Sequence, residues 1–255
     1  MFSSYHFIWL FICAVLICFS LYTVNKKQIP FSKILNVAVA VCILSEMTKI
    51  ISAIRFVPLS DGTGMVPYLE LNHLPLHFCS LQIIFILLLR FAHLHDKSRH
   101  TLMAFMYPTC VLGALLALLM LSIYTSSITP EQSFTHPMAY QFYIFHVMLV
   151  FFGLCIYRYM GNRMVPKDYF STMYIIVLLA VVSVYMNSVL AVPRYSAGNV
   201  VSIENHTNFF FTYVPPVPIH LTSVFEWLLY LVFIFFLSAF LVALMYLPVF
   251  RGRRI

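Results

Sequence analysis

Long apolar stretches alternate along this chain with short polar connections. Each stretch holds about 20 or more residues, which at about 1.5 Å per residue is enough to cross roughly 30 Å of hydrocarbon. The pattern predicts seven transmembrane helices, at Tyr5–Val24, Phe31–Ile54, Leu74–Leu94, Thr101–Tyr124, Met138–Tyr159, Tyr169–Val192 and Leu221–Tyr246. The first stretch is too long for a signal-peptide core and lacks a basic leader, so we predict that it is a retained helix.

Positive charges indicate how these helices are oriented. If the amino terminus lies on the non-cytoplasmic side, 12 of the lysines and arginines fall on the cytoplasmic side. The other three, Lys49, Arg55 and Arg194, fall outside. Because cytoplasmic loops of membrane proteins are enriched in lysine and arginine, this division predicts an external amino terminus and a cytoplasmic carboxyl terminus.

The composition agrees with an all-α polytopic membrane protein. Of 255 residues, 62% are hydrophobic and 9% are charged, whereas a soluble domain has about 45–50% apolar and about 25% charged residues. The predicted helices use most of the chain, so we expect a single seven-helix domain covering residues 1–255. Orientation accounts for the net charge of +7, and we therefore expect a lipid bilayer, and no nucleic acid, as a partner.

One polar run interrupts the third apolar stretch. Residues 74–82 contain the imidazole of His77, the thiol of Cys79 and the carboxamide of Gln82. Polar groups at membrane depth are costly because lipid offers no hydrogen bonds, so they are candidates for function. With the predicted topology, other helices bring polar residues to a similar depth on the non-cytoplasmic side, namely Glu46, Lys49, His146, Asn187 and Glu226. We therefore predict one polar cavity that opens toward that side.

A thiol and an imidazole are suited to nucleophilic catalysis, because the imidazole can remove the thiol proton. On a regular helix His77 and Cys79 would point about 200° apart. His146, which comes from another helix, is therefore the better candidate for the base. Gln82 follows Cys79 by three residues and shares its helix face, so it is a candidate for orienting a substrate carbonyl.

Structural roles are alternatives for several of these residues. His146 could donate to a backbone carbonyl and join helices. Glu46 could form an ion pair with Lys49, one turn away. Asn187 could form an interhelical hydrogen bond, and Glu226 could mark the membrane interface.

The connection between the sixth and seventh helices, residues 193–220, is the longest on the non-cytoplasmic side. It could cap the predicted cavity, with Arg194 pairing with a lipid phosphate. The alternative is an ordinary connector.

The run Leu74–Ser80 resembles the signature of the YwaF-type bacterial membrane proteins, which are similar to the transmembrane protein 164 family of integral membrane acyltransferases. Ser45–Lys49, His146 and Thr207–Phe210, followed by two prolines, agree with that family in order and spacing. Phe209 stands where the family pattern leads us to expect a tyrosine.

The resemblance implies an acyltransferase or transacylase that acts on glycerophospholipids through a cysteine thioester. Cys79 would be the nucleophile, His146 the base and His77 a supporting residue. A phospholipid and a lysophospholipid would be the substrates, with no cofactor and no metal. The candidates for binding or supporting the substrate are Gln82, Glu46, Lys49, Asn187, Asn208, Arg194 and Glu226. We expect the plasma membrane of a bacterium, with an internal membrane of the endoplasmic reticulum type as the alternative.

Three other functions remain open at this stage. Water could resolve the thioester in place of a lysophospholipid, which would make the protein a lipase. A zinc-dependent lipid hydrolase could use ligands from His77, Cys79, His146 and His220, because imidazole and thiolate bind zinc. The third alternative is a receptor, transporter or scaffold without catalysis.

Overall fold

Seven α-helices make up most of the protein in a computed structural model that describes residues 3–59, 62–120, 128–196, 199–204, 207–216 and 219–252. The helices are α1 (Ser4–Lys27), α2 (Phe31–Ala53), α3 (Phe78–Phe91), α4 (Asp96–Leu119), α5 (Pro137–Met160), α6 (Pro166–Val189) and α7 (Val224–Phe250). Six of them are long and apolar enough to cross a membrane, whereas α3 has 14 residues and is shorter. The predicted class, a polytopic all-α membrane protein, is confirmed.

Helix α3 begins four residues later than the predicted stretch Leu74–Leu94. Leu74 is extended, with a ψ of 141°, because the proline that follows disfavours the helical conformation. His77 is also extended and precedes the first helical residue, so the prediction that it lies within the helix is wrong. A helix of 14 residues is about 21 Å long, about 9 Å less than the hydrocarbon thickness. Before the helix, Pro75 and Leu76 form a turn in which the Leu76 amide donates to the Leu74 carbonyl at 2.7 Å.

Two β-hairpins lie at one end of the helix bundle. Strands β1 (Arg55–Pro58) and β2 (Met65–Tyr68) connect α2 to α3, and β3 (Val192–Ser196) and β4 (Asn199–Glu204) connect α6 to α7. Helix direction alternates along the chain, so both connections fall at the same end, which we call the hairpin end. In the predicted orientation this is the non-cytoplasmic end.

The core is centred on α4 and α5. Helix α5 contacts α1, α2, α3 and α4, whereas α4 also contacts α6 and α7. Gly153 lets the two central helices approach, since an added methyl group would lie 2.7 Å from the Val111 side chain and 3.0 Å from the Tyr107 carbonyl oxygen. Helix α7 lies at the periphery and exposes most of its large apolar side chains, as a lipid-facing helix does.

Pro108 interrupts the hydrogen bonding of α4. Because proline has no N–H group, the carbonyl of Ala104 loses its helical donor. The buried hydroxyl of Tyr246 on α7 donates to that carbonyl at 2.9 Å. The proline thus creates an unpaired carbonyl that α7 satisfies, as is required where no water is available.

We expect Gly153→Ala to destabilise the bundle by about 1–3 kcal/mol, because the added methyl group would be forced into close-packed neighbours. Thermal unfolding of the purified protein in detergent measures this effect. Gly64→Ala is the matched control, since a methyl group there would meet nothing within 4 Å. Equal unfolding temperatures for the two variants would contradict the close approach of α4 and α5.

Candidate functional site

Cys79 is the second residue of α3 and faces α4. A methyl group added at Gly113 on α4 would lie 3.5 Å from the Cys79 sulfur and 2.9 Å from the Phe78 ring. The absence of a side chain at Gly113 therefore creates the space that the thiol and the Phe78 ring occupy. The Cys79 side chain is partly buried, and its thiol makes no hydrogen bond with any residue in the described part of the chain.

The start of α3 leaves backbone donors available beside this thiol. The amide of Leu81 bonds the His77 carbonyl at 2.9 Å, but the side chain of His77 does not cap the helix. Within the described ranges, the amides of Phe78, Cys79 and Ser80 have no acceptor. Unpaired amides at the start of a helix favour a negative charge nearby. The thiol thus lies beside donors that suit an anion.

Gln82, one turn further along α3, is fully buried and joins α3 to α4. Its amide nitrogen donates to the Thr109 hydroxyl at 3.1 Å, and its carbonyl accepts from the Cys110 thiol at 3.2 Å. Both functional groups of the carboxamide are therefore used between helices. Its role in orienting a substrate carbonyl stays a prediction.

His146 is buried in α5. Its Nδ1 lies 2.7 Å from the carbonyl oxygen of Phe142, which can only accept, so Nδ1 carries the proton in this pairing. The lone pair is then on Nε2, which has no partner among the described residues. This is the tautomer that a general base requires. The predicted bond to a backbone carbonyl is present, but Phe142 belongs to the same helix, so the bond fixes that tautomer and does not join helices.

No hydrogen bond joins Cys79 to His146 in this structure. Cys110 on α4 marks a common level, because it contacts both Gln82 of α3 and Gly153 of α5. From that level toward the hairpin end, Cys79 is about 4.5 Å along α3 and His146 about 10.5 Å along α5. By helix rise alone, His146 is therefore about one helical turn closer to the hairpin end than Cys79.

An aromatic turn, defined as Phe209–Thr212, packs against the segment before Cys79. The Phe209 and His77 rings are 5.1 Å apart, and the Phe210 and Phe78 rings are 5.0 Å apart and perpendicular. Phe209 is fully buried, and a tyrosine hydroxyl there would need a buried partner. Phenylalanine, the departure from the family pattern, suits this position.

The backbone of the aromatic turn is strained. Phe210 and Phe211 have φ angles of 58° and 54°, in the left-handed region that side chains other than glycine seldom adopt. Each such residue costs on the order of 1–3 kcal/mol, and it persists only when surrounding contacts enforce it.

Asn187 on α6 provides those contacts and is fully buried. Its side chain donates to the Phe209 carbonyl at 3.1 Å and to the Thr212 hydroxyl at 3.0 Å, and it accepts from the Phe209 amide at 2.9 Å. From α7, Trp227 donates to the Thr212 carbonyl at 2.9 Å and Tyr230 to the Phe211 carbonyl at 2.6 Å. Asn187 thus acts on the Cys79 region indirectly, because it holds the aromatic turn that packs against His77 and Phe78.

Two more predicted residues lie in the loops of the hairpin end. The Asn208 side chain donates to the Val214 carbonyl at 2.8 Å and accepts from the amides of Tyr213 and Val214, which closes the chain around the aromatic turn. Arg194 pairs with Glu204 across the second hairpin. Pairing of Arg194 with a lipid phosphate stays a prediction.

The carboxylates have local partners. Glu46 forms an ion pair with Lys49 at 2.8 Å, which is the alternative that their spacing suggested. Glu226 accepts from the amide and the hydroxyl of Thr222 at 2.6 and 2.9 Å, and so it organises the start of α7. Among the described residues, no three histidine, cysteine, aspartate or glutamate side chains gather as metal ligands would. The zinc alternative therefore lacks a ligand set there.

Sequence reasoning missed the partners on α4. Gly113, Thr109 and Cys110 shape the surface against which Cys79 and Gln82 pack. The sequence feature that could have indicated them is Gly113, which lies one helical turn from Thr109 and Cys110 within an apolar stretch.

We expect Gln82→Met to lower stability by about 1–3 kcal/mol, because a side chain of similar size would leave the Cys110 thiol and the Thr109 hydroxyl without their amide partner. The midpoint of thermal unfolding measures this loss. Gln132→Met, at an exposed position, is the control and should change little. If Gln82→Met reduced turnover without any loss of stability, Gln82 would instead serve the substrate.

Comparison with known proteins agrees with the sequence signature. The model of the TMEM164 family matches residues 1–247. No curated protein and no solved structure matches the chain significantly. The match covers nearly the whole chain, including α1 to α6 and most of α7, and the chain therefore belongs to the TMEM164 family.

Proposed function

We propose that the protein is a membrane acyltransferase that moves a fatty acyl chain between glycerophospholipids through a thioester on Cys79. The observation that carries the proposal is the start of α3, where the thiol and three backbone amides beside it have no hydrogen-bond partner among the residues that the structure describes. The thiol supplies a nucleophile, and the amides of Cys79 and Ser80 supply donors for the oxyanion that forms when a carbonyl is attacked.

In the first step, Cys79 attacks the ester carbonyl carbon of a donor phospholipid. The proton of the thiol passes to Nε2 of His146, and a carbon–sulfur bond forms. The tetrahedral intermediate then collapses, the carbon–oxygen bond breaks, and the leaving alkoxide takes the proton from the imidazolium. The products are the thioester and a lysophospholipid.

In the second step, the hydroxyl of an acceptor lysophospholipid attacks the thioester. His146 removes the hydroxyl proton, the new carbon–oxygen bond forms, and the carbon–sulfur bond breaks. The thiolate then recovers a proton from His146. Both steps need Nε2 within hydrogen-bond reach of the reacting oxygen, a contact that often tightens only when substrate is bound.

The lipid substrates and the site of action follow from the same residues. Cys79 is the second residue of α3 and lies near the hairpin end of the bundle, so the acyl donor would enter from the leaflet at that end. The resemblance to the YwaF-type bacterial signature favours the plasma membrane of a bacterium, with an internal membrane of the endoplasmic reticulum type as the alternative.

We expect purified protein incubated with an isotopically labelled phosphatidylcholine, without acceptor, to gain one acyl chain in intact mass. The adduct should be released by neutral hydroxylamine, which cleaves thioesters. Cys79→Ala should show no adduct. Cys110→Ser is the matched control, because this thiol lies one turn away across the helix interface, and it should keep the adduct.

Adding lysophospholipid separates transfer from hydrolysis. Discharge of the adduct only after the acceptor is added would support transfer, whereas release of free fatty acid without it would identify a lipase. Lipid turnover by Cys79→Ala at the wild-type rate would refute the proposed nucleophile.

We expect His146→Gln to slow both formation and discharge of the adduct by about 10²–10⁴-fold, the usual contribution of a positioned general base. Single-turnover kinetics with the labelled donor measure the two rates separately. His93→Gln, at an exposed position near the opposite end, should leave both rates unchanged. A variant of His146 that retained wild-type rates would remove the base from the mechanism.

A further inference from the structure

We propose that the aromatic turn is a gate between the Cys79 thiol and a groove at the start of α7, and that a fatty acyl chain is what passes it. The inference rests on the proposed function for the identity of the occupant. The gate itself is inferred from packing, hydrogen bonding and backbone strain, independently of any chemistry at Cys79.

The first observation is the position of the aromatic turn. Helices α3 and α7 both contact α4, and the turn joins them at the hairpin end. On one side its Phe209 and Phe210 rings lie against His77 and Phe78, the two residues that precede Cys79. On the other side its carbonyls accept hydrogen bonds from α7. The turn therefore fills the space between the two helices.

The second observation is the groove on the far side of the turn. It has a volume of about 290 Å³ and is lined by Tyr213, Leu221, Thr222, Ser223, Val224 and Trp227. Trp227 lines the groove and also donates to the Thr212 carbonyl. Tyr213 follows the turn directly in the chain. Displacing the turn would therefore connect the groove to the Phe78 ring and the thiol beside it.

The third observation is that opposing contributions act on the turn. The positive φ angles of Phe210 and Phe211 favour its release, because an open segment could relax to ordinary backbone angles. The three hydrogen bonds of Asn187 favour the closed form. A segment with strain on one side and a few hydrogen bonds on the other can exist in two states of similar free energy.

The chemistry of the turn indicates what it admits. The surfaces that separate on opening are the rings of Phe209, Phe210 and Phe78, which are apolar, whereas in the closed form the polar groups of the turn face α6 and α7. An apolar passage flanked by a groove of mixed polarity suits a fatty chain attached to a polar glycerol better than it suits a polar metabolite.

The test measures how fast a small reagent reaches Cys79, which requires no catalysis. A variant that retains only Cys79 is prepared by replacing Cys13, Cys18, Cys42 and Cys155 with alanine and Cys110 with serine, which preserves a donor to Gln82. The protein in lipid nanodiscs is treated with N-ethylmaleimide, and intact mass follows the reaction. A parallel variant that retains only the exposed Cys18 reports any general change in reactivity.

We expect Asn187→Ala in the Cys79-only background to label about tenfold faster, since the closed turn loses its three buried hydrogen bonds. Phe211→Gly should act in the opposite direction and label about threefold more slowly. Glycine tolerates the positive φ, and the Phe211 side chain that is lost is exposed. Ser188→Ala, beside Asn187, should label at the parent rate, because the exposed Ser188 hydroxyl donates to the Val184 carbonyl of its own helix and not to the aromatic turn.

Several results would overturn the gate. These are equal Cys79 labelling rates in the parent, Asn187→Ala and Phe211→Gly proteins, faster labelling of Cys79 in Phe211→Gly, or an equal acceleration at Cys18 in Asn187→Ala. We expect Asn187→Ala to speed the labelling of Cys79 and Phe211→Gly to slow it. A general loss of folding would speed labelling in both variants and could not produce this result. Labelling that follows these expectations in a protein that never forms an acyl adduct would support the gate and refute the acyltransferase proposal.

Discussion

Hydrocarbon supplies no hydrogen bonds, so every backbone group within this bundle needs a partner from the protein. Two breaks in helical hydrogen bonding meet this constraint differently. Pro108 removes a donor from α4, and the Tyr246 hydroxyl of α7 bonds the Ala104 carbonyl that is left. The late start of α3 leaves three amides without an acceptor among the described residues, and rings of the aromatic turn pack against His77 and Phe78 beside them. A distant part of the chain thus lies against each local defect.

The second break also creates the candidate site. The first amides of a helix have no acceptor within the helix. Here these amides adjoin Cys79, and Gly113 on α4 leaves space for its sulfur. The late start of α3, which Pro75 favours, therefore brings a thiol and backbone donors together, next to the space that Gly113 leaves. Asn187 acts further away, because it holds the strained turn that closes over this region.

Sequence alone predicted the apolar stretches and singled out Cys79, because stretch length and a polar group in an apolar run are local properties. It did not predict where α3 begins, since an unpaired helix start is tolerated only when residues far along the chain cover it. For the same reason the role of Gly113 was missed, and the role of Asn187 in holding the aromatic turn was not predicted. Their partners lie 34 residues away at Cys79 and 22 residues away at Phe209. The pairing of Glu46 with Lys49, by contrast, follows from helical spacing and was among the alternatives.

The relative depth of Cys79 and His146 bears on how a lipid ester would bind. In a bilayer the acyl chain points toward the centre and the glycerol toward the surface. A nucleophile that holds the acyl group should therefore lie deeper than a base that exchanges protons with the glycerol oxygen. Along α3 and α5 the thiol is about one turn further from the hairpin end than the imidazole. The lipid ester would span the distance between the two residues, so His146 would exchange protons with the lipid oxygen from its own depth. The proton exchange between Cys79 and Nε2 would require the closer approach that substrate binding brings.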